Sequence, residues 1–165
     1  LPLSKTVSLM RQASTQNYLL RWLMSFLLDR TCQVLYRGCY SDVRQVRQGV
    51  PQGTCCGPRI WSLFINPLVE QLSSINPDVY TIVVYADDIC VTASAKDAKS
   101  VTEFLQVASD HVMHWAANNN MKVNEKKTQT LLFSTSTHTE ADKESPGINI
   151  NGFFFKQKTA YEISW

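Results

Sequence analysis

The sequence predicts an α+β fold with an antiparallel sheet packed on helices, and three patterns lead there. Long segments with apolar residues at helical spacing are interspersed with short runs of strand formers. The strand runs come in pairs joined by tight turns, which favours hairpins. A chain of 165 residues, 44% hydrophobic and 18% charged, can bury a core without disulfide or metal staples. The same composition excludes disordered, coiled-coil and collagen-like classes. No apolar run approaches the roughly 20 residues of a membrane span, so no membrane partner is expected.

The elements follow in order. Residues 15–29 carry Leu19, Trp22, Leu23, Phe26 and Leu27 at helical spacing, predicting a helix with one wide apolar face. Residues 32–36 and 43–46 are short strand runs with a turn at Arg37-Gly38-Cys39, a hairpin. QGVPQGTCCGP at 48–58 is too rich in Gly and Pro for regular structure. Pro58 suits the first turn of the next helix, which runs through WSLFINPLVEQL with a kink expected near Pro67. Asn76-Pro77-Asp78 turns the chain into a buried strand at 79–85. Ala86-Asp87-Asp88 leads to a second apolar strand, ICVTA. Ser94 is the expected cap of a long helix whose apolar face holds Val101, Phe104, Leu105, Ala108, Val112 and Trp115. Asn118–Asn120 end it, because Asn tolerates the left-handed conformation. Met121–Val123 and Thr130–Ser134 are expected strands around a basic turn, 135–147 a polar loop, and GININ a further strand.

The tail stands apart. KQKTAYEI resembles the in-frame translation of a sequencing adapter oligonucleotide, so residues 153–165 are expected to be non-native and 1–152 to form the domain. The start lacks an initiator Met and a signal-peptide layout, which reads as a fragment. Five cysteines without a CxxC pair suggest reduced thiols inside a cell rather than a disulfide framework. His111 and His114 have no third ligand near them and read as helix-surface residues.

The net charge of +2 hides a division. Residues 1–60 hold eight basic residues against Asp29 and Asp42, a net of +6, whereas 61–165 hold eight Lys against twelve acids, a net of −4. This arrangement suits a polyanion track beside a cation site, although charge alone favours an ordinary surface.

Three constellations carry chemistry. Tyr85-Ala86-Asp87-Asp88 places two carboxylates at a hairpin tip between apolar strands, where their repulsion does nothing for folding. A rigid turn presenting hard oxygens is what magnesium requires. In Gln48-Gly49-Val50-Pro51-Gln52-Gly53-Thr54, glycines permit close approach to a base or sugar, and Gln supplies both donors and acceptors. Arg44, Arg47 and Arg59 flank this loop and could hold phosphates. Lys127, in Asn124-Glu125-Lys126-Lys127-Thr128, could neutralise or protonate a leaving group. Each has a plainer reading: an acidic turn, a Gly/Pro connector and a solvated basic turn.

Together and in this order, GVPQGT…GP at 49–58, FIN at 64–66, YADD at 85–88 and N-x-x-K-T at 124–128 resemble the reverse transcriptase domain of non-LTR retrotransposons. The resemblance covers about residues 15–150. It implies a partial right-hand polymerase palm acting as an RNA-directed DNA polymerase by two-metal nucleotidyl transfer. It implies that Asp87 ligates magnesium with Asp88 in support, and that Tyr85 and Ala86 lie near the primer terminus. Pro51, Gln52 and Gly53 would line the nucleotide and template pocket. Lys127 would be the basic residue of the motif after the long helix, and Asn124 and Thr128 would brace that turn. The implied partners are an RNA template, a DNA primer and deoxynucleoside triphosphates, within a nuclear or cytoplasmic ribonucleoprotein. The family's earlier catalytic Asp motif is absent from this sequence, so the chain alone is expected to be inactive. The alternative is a relic that binds nucleic acid without catalysis. Ala86, rather than the Gly usual before the paired acids of RNA-directed RNA polymerases, argues against that group.

Overall fold

The computed structural model describes residues 3–12, 16–133, 147–150, 153–155 and 158–160. The class is α+β, with four α-helices among the described residues. The chain divides into two compact units, Leu1–Pro67 and Leu68–Trp165.

The first unit opens with two helices, α1 (Leu3–Gln12) and α2 (Asn17–Leu27). Helix α1 lies where the sequence reading assigned no element; its buried Thr6 and Met10, four residues apart, are a short and weak signal. Helix α2 is close to the expected span, but its buried face differs. Leu20, Leu23 and Leu27 are buried, whereas Leu19 and Trp22 are exposed. Both faces are apolar, so periodicity alone could not choose between them. Met10, Leu20, Leu23, Leu27 and Ile60 form the core, with Val50, Cys56 and Leu63 packed against it.

The Leu28 amide donates to the Met24 carbonyl at 2.9 Å and ends α2. Asp29, at φ 53°, redirects the chain into β1 (Arg30–Cys32). The expected hairpin forms in two stages. Outer strands β1 and β4 (Arg44–Val46) pair antiparallel, as do inner strands β2 (Leu35–Tyr36) and β3 (Cys39–Tyr40). Arg37 and Gly38, both at positive φ, make its turn. Helix α3 (Gly57–Ile75) carries Pro67 inside it, and the division between the units falls directly after that residue. Ile60, Phe64, Leu68 and Leu72, spaced four apart, form a buried stripe along α3.

The second unit holds β5 (Tyr80–Tyr85) and β6 (Asp88–Ala93), a hairpin in continuous antiparallel register from Tyr80↔Ala93 to Tyr85↔Asp88. β5 is not the buried strand expected. Only Tyr80 is buried, and Val83 and Tyr85 are 56% and 81% exposed. The sheet has two strands, so it has one covered face and alternates with a period of two.

Helix α4 (Ala98–Asn118) packs against β6 and β8 (Ile148–Ile150). Its cap is Asp97, not Ser94: the Asp97 carboxylate accepts from the Ser100 amide at 2.9 Å and from the Ser100 hydroxyl at 2.8 Å. A cap must directly precede the first turn, and Ser94 lies too far upstream. These hydrogen bonds, with the backbone bond first, hold the Asp97 carboxyl below its ordinary range. The Asn stop forms as a Schellman motif, with Asn120 at φ 52°, its amide bonded to the Ala117 carbonyl, and the Met121 amide bonded to Ala116. Using Met121 in this way is one reason that Met121–Val123 is not a strand.

A 3-10 turn (Glu125–Lys127) precedes β7 (Leu131–Phe133). The expected loop at 135–147 lies outside the described residues except for Gly147. GININ supplies β8, which pairs antiparallel with β9 (Phe153–Phe155), while β10 (Lys158–Ala160) pairs parallel with β7. Instead of one sheet packed on helices, the described residues form five two-stranded sheets, four antiparallel and one parallel.

Candidate catalytic hairpin and glycine loop

In the second unit, the YADD residues sit at the closed end of the β5–β6 hairpin. Tyr85 and Asp88 are the last cross-strand pair, and Ala86 and Asp87 form the two-residue turn between them. Alternation sets what this end presents. Tyr80, Ile82, Val84, Ile89, Val91 and Ala93 face the covered side, while Tyr85 and Asp88 project on the exposed side. Asp87 is exposed at the tip. Ala86 has φ 51°, in the left-handed region, a strained conformation for a residue other than glycine that tight two-residue hairpins require. The hairpin is anchored at its other end, where the buried Tyr80 hydroxyl donates to the Phe104 carbonyl of α4 at 2.8 Å.

The donors at the tip suit magnesium: two adjacent carboxylates, both accessible, on a short turn set by paired strands. Magnesium takes one or two carboxylates and completes its octahedron with water and phosphate oxygens. Among the described residues, no group of three or more His, Cys, Asp and Glu side chains is placed to hold a metal.

Lys127 is exposed at the end of the 3-10 turn. The turn is braced at Asn124, whose carbonyl accepts from the Lys127 amide at 3.1 Å and from the Thr128 hydroxyl at 3.0 Å.

In the first unit, the glycine loop is held at its edges and open at its centre. Val50 and Cys56 pack against the core. The Thr54 hydroxyl donates to the Pro51 carbonyl at 2.9 Å. Gly49 and Gly53 have φ 84° and 75° with open space where a Cβ would sit, so conformation rather than room calls for glycine. At Gly57 a Cβ would stand 3.2 Å from Thr54 Oγ1, a tight contact that the threonine side chain would have to yield to. Pro51 is half-buried, and Gln52 and Gly53 are exposed. Arg44 on β4, Arg47 just after it and Arg59 in the first turn of α3 are all exposed. All eight basic residues behind the net +6 belong to this unit.

The structure thus groups Tyr85, Ala86, Asp87 and Asp88 on one hairpin tip, and arranges Arg44, Arg47 and Arg59 on the segments that flank Pro51, Gln52 and Gly53. Sequence reasoning missed Arg30, whose side chain binds the loop's first carbonyls. Its only signal was position, at the start of a strand paired with the segment entering the loop.

Comparison with known proteins is consistent with this geometry. The sequence pattern of the family described as Reverse transcriptase (RNA-dependent DNA polymerase) matches residues 2–160. The RNA-directed DNA polymerase from mobile element jockey of Drosophila melanogaster is 31% identical over 84% of this chain and 15% of its own length. That of Drosophila funebris is 30% identical over 87% of this chain and again 15% of its own. A retrovirus-related Pol polyprotein from type-1 retrotransposable element R1 of Nasonia vitripennis is 31% identical over 51% of this chain and 24% of its own. The chain therefore spans about 15% of the length of the jockey relatives it matches. No solved structure matches it. Among the described residues, no helix is long and apolar enough to cross a membrane.

Proposed function

The chain belongs to the reverse transcriptase family, and on that premise we propose that it is the central part of a non-LTR retrotransposon's RNA-directed DNA polymerase. The observation that carries this reading is the hairpin tip: two exposed carboxylates on a turn that strand register and the Tyr80 anchor hold rigid. In the proposed reaction the primer 3′-hydroxyl attacks the α-phosphate of a deoxynucleoside triphosphate. A P–O bond forms, the bond to pyrophosphate breaks, and the hydroxyl's proton passes to solvent water. Asp87 holds magnesium and Asp88 shares that role. When bound, magnesium stabilises the charge that develops on the phosphoryl oxygens and activates the hydroxyl. Tyr85 and Ala86 flank the primer terminus. Pro51, Gln52 and Gly53 line the nucleotide and template pocket, with Arg44, Arg47 and Arg59 on phosphates. Lys127 offsets charge on the departing pyrophosphate. The template is RNA, the primer DNA, and the setting an intracellular ribonucleoprotein. Residues 153–165 are proposed to be non-native.

The test is primer extension with magnesium, using a protein translated from the reading frame extended in both directions. We expect template-dependent synthesis that Asp87→Ala reduces to background. Synthesis unaffected by that change would overturn the assignment.

A second reading, a non-catalytic nucleic-acid-binding relic, is favoured by the net +6 of the first unit. It predicts salt-sensitive binding with no synthesis in the extended protein.

A further inference from the structure

We infer that Arg30 is the positioning residue of the glycine loop, fixing the backbone at Gln48 and Gly49 and so setting how Pro51, Gln52 and Gly53 are presented. This rests on the proposal that the loop lines the nucleotide and template pocket.

Arg30 is the first residue of β1 and pairs with Val46, the last residue of β4. That register brings its side chain beside the chain entering the loop. Its Nε donates to the Leu27 carbonyl at 3.0 Å. Its Nη2 donates to the Gly49 carbonyl, with the Gln48 carbonyl 3.5 Å away. One guanidinium thus ties the last turn of α2 to the first residues of the loop. Carbonyls in a helix's last turn lack intrahelical partners, and a cation there also suits the helix dipole. Gly49 stands at φ 84°, so its backbone adopts the left-handed region and Arg30 captures the carbonyl that results. A cavity of about 410 Å³, lined by Leu28, Asp29, Arg47 and Gln48 among others, lies alongside. Packing therefore does not hold Gln48 from that side. Downstream, Val50 and Cys56 reach the core, and Thr54 bonds Pro51. Pro51–Gly53 thus lies between Val50 and Cys56, both packed on the core, and Arg30 fixes the two residues that lead into Val50. A lysine ammonium is a compact point charge and does not reproduce the planar fork that aims Nε and Nη2 at separate acceptors.

Two measurements test this. In the dilute 165-residue chain, tryptic cleavage after Arg47, at the bond leading into Gln48, is expected to quicken about tenfold or more in Arg30→Met. Cleavage after Arg21 in α2 should change by less than about threefold, and the control Arg37→Met should leave cleavage after Arg47 unchanged. In the extended polymerase, Arg30→Met should raise KM for the nucleotide several-fold more than it lowers kcat. Loss of folded enzyme alone would lower the maximal rate at unchanged KM. If Arg30→Met does not fold, Arg30→Lys is read in the same way, with a smaller shift of the same sign. Unchanged cleavage after Arg47 would overturn the inference, as would a fall in rate at constant KM. Failure of the polymerase reading is distinguishable, because it shows as no synthesis even with Arg30 intact, while cleavage after Arg47 still reports the clamp.

Discussion

Tyr80 and Ala86 lie at opposite ends of β5 and do opposite work. The Tyr80 ring is buried edge-on to Phe104, with centroids 6.2 Å apart, and its hydroxyl reaches the Phe104 carbonyl. Burial also pushes its phenol pKa up. Tyr80→Phe keeps the ring and loses one hydrogen bond, so denaturant melts should show a loss of about 1 kcal/mol. Tyr80→Ala removes the ring as well, and about 3–5 kcal/mol is expected. Ala86 instead carries strain at φ 51°. A β-branched residue fits that region poorly, so Ala86→Val should cost about 1–3 kcal/mol and displace the adjacent carboxylates. Urea titration of the chain and primer extension by the longer protein measure the two effects. Ala86 was legible in the sequence as a motif letter, but its positive φ was not, because alanine carries no local signal for that conformation. Arg30 was hidden for a related reason: its role depends on a strand register that only the folded hairpin defines.

At the scale of elements, α4 is the clearest case of sequence dictating structure. Its Asn stop follows from the tolerance of Asn for left-handed φ, and on the face that periodicity picks out Ala108 and Trp115 are buried and Val101, Phe104, Leu105 and Val112 half-buried, with Thr102 and Ala116 joining them in the core. The error at its start was one of choosing among nearby caps, since both Ser94 and Asp97 are competent acceptors. The Asp97 carboxyl titrates below its ordinary value of 3.8, chiefly through the Ser100 amide hydrogen bond. A depressed folded value means that its stabilisation is complete above the ordinary value and lost as pH falls through the lowered one. Asp97→Asn retains a capping oxygen but cannot titrate. Its thermal midpoint should match the parent near neutrality and show less decline on acidification. A parallel acid decline in both proteins would refute this cap-based account. At the other end of the unit, Gln106 fixes β8: its amide donates to the Asn149 carbonyl at 2.9 Å and accepts from the Asn149 amide at 2.8 Å. Such pairing of a side chain with a strand's backbone over 43 residues of separation leaves no trace in local sequence.

At the scale of the molecule, the charge division read from the sequence coincides with the division into units. If Arg47 binds a phosphate, Arg47→Gln should reduce the slope of log affinity against log salt by about 1, measured by fluorescence anisotropy on single-stranded nucleic acid. The single-sheet expectation failed because hydrophobic runs specify strands without specifying their partners. The result is much uncovered surface: Val34, Leu35, Tyr36, Tyr40 and Val43 on the first hairpin are each 58–70% exposed. The purified 165-residue chain should therefore self-associate, visible as light scattering that rises with concentration.

The unbroken register from Tyr80↔Ala93 to Tyr85↔Asp88 has a consequence for how this segment can evolve. Substitutions along the hairpin act one position at a time. A single inserted or deleted residue in β5 or β6 would instead turn every later side chain to the opposite face, taking Tyr85 or Asp88 with it. Lineages carrying this hairpin should accumulate replacements freely at exposed positions such as Thr81 and Thr92, yet keep the spacing from Tyr80 to Ala93 constant.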